Sequence, residues 1–165
     1  MYTRTLARTA GIALAAAALG IPISAAMAGP RSLNVSAKLT ITGGAPPACQ
    51  AGVCTLNNHG TGHMTPLGKV SFTTRITSDG KAPPCGAGSS WVRVIRTIHT
   101  AKGTIVLNEA GLQCPQPGGP RVDLVWALDG AQSTGIFVRA HGRGYDTAHP
   151  AQKTDAYHGT ITLAQ

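Results

Sequence analysis

Leu33-Asn34-Val35-Ser36-Ala37-Lys38-Leu39-Thr40-Ile41 is the stretch that decides the fold class. Apolar and polar residues alternate along it without a break. That period of two belongs to a strand with one face in a core and the other in water. Gly43-Gly44 and Pro46-Pro47 end it. The same alternation returns at 69–76, where Val70, Phe72, Thr74 and Ile76 face one way and Lys69, Ser71, Thr73 and Arg75 the other. Ser78-Asp79-Gly80 then supplies turn chemistry.

Further strands are expected on either side. Residues 55–64 form one, weakened by Gly60 and Gly62. Residues 91–99 place Val92, Val94 and Ile98 on one face and Trp91, Arg93 and Ile95 on the other. Ala101-Lys102-Gly103 reverses the chain into 104–107 as a hairpin. Residues 122–128 and 135–143 read as two strands joined through Asp129-Gly130. Residues 155–163 close the chain, with Tyr157, Gly159, Ile161 and Leu163 on one face. Residues 29–165 offer no apolar helical period over three turns. Seven or eight short strands imply a closed barrel or a two-sheet sandwich.

Residues 1–28 read as an export signal. Arg4 and Arg8 precede an apolar, alanine-rich run over 10–23, and Ala26-Met27-Ala28 is a small-x-small cleavage pattern. The run is shorter than the roughly 20 residues of a spanning helix. The domain division is thus a signal peptide at 1–28 and one secreted domain at 29–165, with no transmembrane anchor after processing.

Composition agrees with short strands. Glycine (21) and proline (11) are abundant, and aromatic residues make up only 4%, so the core must rest on aliphatic side chains. The formal charge of +8 falls to +6 when Arg4 and Arg8 leave with the signal. The remaining basic residues are scattered, which excludes a nucleic-acid arm. They suit either a solvated surface or an anionic cell-envelope polymer. Cys49, Cys54, Cys85 and Cys114 read as two disulfides in an oxidising compartment, with three pairings open. Cys49–Cys54 and Cys85–Cys114 are favoured. The first closes a short loop containing Gly52, and the second joins Pro/Gly loops flanking paired strands. A zinc site is disfavoured by the four-residue gap.

Candidate chemistry is sparse. His59 and His63 would stand roughly 13 Å apart on an extended strand, and His99, His141, His149 and His158 are scattered. No metal or cofactor is implied. Phe137, Arg139, His141 and Arg143 share one face of the expected strand 135–143. Facing inward, Arg139 and His141 would suit a carboxylate; facing outward they are solvated charges, the cheaper arrangement. Asp79 and Asp129 precede glycines and read as turn residues, and Glu109 as a hairpin residue. No carboxylate pair is nominated for acid–base work, and no Gly-x-Ser-x-Gly elbow occurs.

Some segments resemble secreted bacterial proteins of the allene oxide cyclase and dirigent-like barrels. Gly60-Thr61-Gly62-His63-Met64-Thr65-Pro66-Leu67-Gly68-Lys69 is similar to a Gly-x-x-x-x-Leu-Gly-basic stretch of that group. Residues 97–111 look like its central hairpin. Thr134-Gly135-Ile136-Phe137-Val138-Arg139-Ala140-His141-Gly142-Arg143-Gly144 resembles its Thr-Gly-x-Phe-x-x-Ala-x-Gly-x-Gly stretch, and His158-Gly159-Thr160-Ile161-Thr162-Leu163 its closing strand. The resemblance implies an all-β, single eight-stranded antiparallel, calycin-like barrel with a central cavity. It transfers no catalytic residue. Only Asn34 and Ser36 stand where the cyclases keep a carboxylate, and the aspartate pair of a dirigent pocket is not recognisable.

The expected function is an exported, non-enzymatic barrel binding a small apolar or anionic molecule. Phe72, Trp91, Trp126 and Phe137 are expected to line or plug the interior, with Arg139 and His141 as its polar ligands. A cyclase or isomerase steered by Arg139 or His141 and an envelope-interaction protein are the alternatives.

Overall fold

The computed structural model describes residues 29–80 and 85–165. The signal segment and its cleavage pattern lie outside the described residues. Nine strands follow in chain order: β1 (Ser32–Gly44), β2 (Ala48–Gln50), β3 (Val53–Thr65), β4 (Gly68–Asp79), β5 (Ser90–Thr100), β6 (Gly103–Cys114), β7 (Arg121–Leu128), β8 (His141–His149) and β9 (Thr154–Thr162). Each of β3 to β8 pairs antiparallel with the next, and β1 pairs with both β9 and β3. That double pairing closes eight strands into a barrel. The short β2 is an outer strand on β3.

β1 follows its alternation: Leu33, Val35, Ala37 and Leu39 are buried. β3 is a full strand despite Gly60 and Gly62, and the glycines explain its fit. A Cβ at Gly60 would strike the Thr40 carbonyl and the Phe72 ring, and one at Gly62 the Lys38 carbonyl and Leu39. Bare backbone there lets Phe72 and Leu39 fill the interior.

The segment 135–143 is corrected. Gly135–Phe137 is a single 3-10 turn, and Gly135 (φ 61°) and Arg139 (φ 59°) are left-handed. Such backbone cannot continue a strand. The loop instead bonds to β6 through Thr134 N–H to Thr104 O and Ile136 N–H to Lys102 O. Asp129 organises its start, its carboxylate accepting the N–H groups of Ala131 and Gln132. Phe137 is fully buried and plugs this end of the barrel. The strand proper, β8, starts only at His141.

The two ends differ. The plugged end packs Leu67, Ile98, Ile105, Phe137 and Ala140 into the large core cluster. The other end holds a smaller cluster of Val92, Val94, Val122 and Leu124. Both disulfides, Cys49–Cys54 and Cys85–Cys114, brace this second end. Cys49 and Cys54 face each other across β2 and β3. Cys85 ties the connection before β5 to the last residue of β6.

Candidate functional site

Four barrel strands each send an ionisable side chain inward to one place. Strand parity dictates it. Arg96 lies on the β5 face of Val92, Val94 and Ile98, and Glu109 on the β6 face of Ile105 and Leu107. Asp155 shares the β9 face of Tyr157 and Ile161, and Asp146 is the buried residue of β8. All four are buried.

Arg96 is the centre. Its Nε donates to Glu109 Oε1 at 3.0 Å, its Nη1 to Asp155 Oδ2 at 2.7 Å, and its Nη2 lies 3.6 Å from Asp146 Oδ2. The Phe72 and Tyr157 rings flank the guanidinium at 5.1 and 4.8 Å, within cation–π range. The Tyr157 hydroxyl donates to Glu109 Oε1 at 2.6 Å.

One cation thus faces three carboxyl groups, which sets the protonation. Burial works to discharge Arg96, but attraction to Glu109, then Tyr157, Asp155 and Asp146, outweighs it and holds the guanidinium charged. Burial pushes Glu109 up, against the pull of Arg96. Asp146 rises to about 8 through burial and the repulsion of Asp155, with Arg96 opposing. Burial also raises the Tyr157 phenol. Asp146 therefore keeps its proton at neutral pH. Neither of its oxygens, nor Asp155 Oδ1, has a hydrogen-bond partner within 3.5 Å.

A cavity of about 130 Å³ lies between this cluster and the disulfide-braced end. Arg96 and Asp155 line it, with Leu56, Ile76, Val92, Val94, Val122 and Leu124 among its apolar walls. It is an apolar chamber on an ionic floor. Comparison with known proteins finds no matching family, no curated relative and no matching solved structure.

The expected site residues divide. Phe72, Trp126 and Phe137 are interior. Phe72 lines the cavity, Phe137 plugs the far end, and Trp126 packs over Gly144 and Gly159 while its Nε1–H donates to Tyr145 O. Trp91 is 48% exposed on the outer face. Arg139 and His141 are exposed as well. The loop turns Arg139 outward, so neither can reach a ligand inside. Glu109, expected in a hairpin turn, is instead in the middle of β6, which runs on to Cys114. Asp146 and Asp155 stand on neighbouring strands, a pairing hidden by the mistaken strand at 135–143. The missed signal was parity itself: Arg96, Glu109 and Asp155 each fall in step with recognised apolar neighbours. Among the described residues, no group of three or more His, Cys, Asp or Glu side chains is placed to hold a metal. No helix among them is long and apolar enough to cross a membrane.

Proposed function

We propose that this protein is an exported barrel that binds a small, mainly apolar molecule in the end cavity, its polar group donating a hydrogen bond to Asp155. The apolar chamber floored by Arg96 and Asp155 carries this reading. Its volume of about 130 Å³ is close to that of an apolar cavity of about 150 Å³ known to take benzene. The ligand is a hydrogen-bond donor rather than an anion. Arg96 is already surrounded by Glu109, Asp146 and Asp155, and Asp155 Oδ1 is the unpartnered acceptor. The disulfides support export, because oxidising compartments preserve them. The closed eight-stranded barrel is also what a relationship to the allene oxide cyclase and dirigent barrels calls for, and that relationship belongs to the proposal.

Phenol and benzoate are suitable probes. Phenol should raise the melting temperature in a saturable way, and benzoate should not. Val122→Phe, which fills the chamber, should remove the phenol effect. A phenol shift that survives Val122→Phe, or no shift at all, would reject the reading.

A cyclase or isomerase has less behind it. Its expected steering residues, Arg139 and His141, are outside, and the chamber is well below the roughly 300–1,000 Å³ of pockets for drug-sized ligands. What favours it is Asp146, a buried acid still protonated near neutral pH. Turnover of a small substrate that vanished in Asp146→Asn while phenol binding persisted would support it.

A further inference from the structure

The outer surface carries a second feature, independent of the cavity. Strand register aligns outward side chains in rows across β4 to β8. One row runs Thr77, Arg93, Ala110, Val125 and Tyr145. The next runs Arg75, Ile95, Asn108, Ala127 and Arg143. Ala110 and Ala127 are small, so the surface sinks between their larger neighbours into a groove of about 1,110 Å³. A second hollow of about 1,100 Å³ continues it past Trp91 and shares Arg93, Ala110, Val125 and Tyr145. Trp91, Ile95, Val125 and Tyr145 are 48%, 49%, 67% and 58% exposed. Four large apolar side chains exposed along one groove suit an interaction site.

Charge says what kind. Arg75, Arg93 and Arg143 border the groove, and none has a hydrogen-bond or ion-pair partner among the described residues. Of the chain's six carboxylates, Glu109, Asp146 and Asp155 are sealed inside the barrel. Asp123 is held by Arg121, Asp129 binds its own loop, and Asp79 is half-buried at the edge of the second hollow. Burying acids inside thus leaves the exterior more basic than the net charge suggests. A second copy brings the same three arginines, and like-to-like docking sets arginine against arginine. The partner must bring both anionic groups and apolar surface.

We propose that this face docks on an anionic lipid bilayer. Trp91, Ile95, Val125 and Tyr145 enter the boundary between headgroups and acyl chains, and Arg75, Arg93 and Arg143 meet lipid phosphates. Co-sedimentation of the secreted protein with vesicles tests this. It should bind phosphatidylcholine vesicles containing phosphatidylglycerol, bind phosphatidylcholine alone far less, and release at high salt. Replacing the three arginines by glutamine should weaken binding about a hundredfold, at roughly fivefold per basic residue. Trp91→Ser with Val125→Ser should weaken it while leaving the barrel folded by circular dichroism, since both side chains are exposed. Equal binding to both vesicle types, or no binding to either, would overturn the proposal. So would self-association in solution abolished by the same substitutions, or retention on acidic wall polymer without vesicle binding.

Discussion

Arg96 shows how far a single residue can govern a barrel interior. Among the described residues it is the only cation paired with Glu109, Asp146 and Asp155, and its removal leaves three buried acids without a counter-charge. Arg96→Met should cost about 3–5 kcal/mol, the usual penalty for breaking a buried ion pair from one side, as read by urea unfolding. Asp146 makes the opposite kind of contribution. Its folded-state pKa of about 8 lies above the ordinary 3.8, so the folded chain holds a proton that the unfolded chain gives up. Stability from this group is complete below about pH 4 and is lost as the pH rises toward 8. The melting temperature should fall across that window, and Asp146→Asn should flatten the fall. Glu109, raised in the same sense, contributes a slope of the same sign.

Elements carry a different kind of information. β1 and β4 were legible because alternation is a property of consecutive residues. β6 and β8 were misjudged because the cues there conflict. Glu109 and Gly111 look like a turn although β6 runs through them, and 135–140 alternates like a strand although Gly135 and Arg139 take left-handed backbone. β8 and β9 have their own requirement. A Cβ on Gly159 would meet the Trp126 ring and the Arg143 carbonyl. Gly159→Ala should therefore lose about 1–3 kcal/mol through overpacking, measured by denaturant midpoint. The two disulfides should also separate. With sequence separations of 29 and 5, replacing the Cys85–Cys114 pair by serines should cost about 3.5 kcal/mol and the Cys49–Cys54 pair about 2. The larger loss belongs to the longer constrained loop.

Across the whole molecule, closure does two things at once. Pairing β1 with both β3 and β9 leaves none of the eight barrel strands with an open edge and encloses one interior. Glycines at 60, 62, 144 and 159 make room for Phe72, Leu39 and Trp126, and these fill the interior toward the plugged end. Shorter aliphatics at the braced end leave the chamber. If that chamber is a binding site, saturating phenol at a hundred times its dissociation constant should add about 2.7 kcal/mol of stability, visible as a concentration-dependent melting temperature. The same closure sorts charge, with Glu109, Asp146 and Asp155 turned in around Arg96 and Arg75, Arg93 and Arg143 turned out, so inner and outer faces suit different partners.

What this chain settled by local pattern was its strand content, an all-β class, the favoured cysteine pairs and the inward side of most strands. Strand content and inward side depend on residues close together along the chain, and the cysteine pairs on the loops that hold them. What needed the folded barrel was the meeting of Arg96 with Glu109, Asp146 and Asp155. Parity can say that a side chain points inward. Only the register of neighbouring strands says which residue it meets there, and residues 96 and 155 become neighbours through ring closure alone.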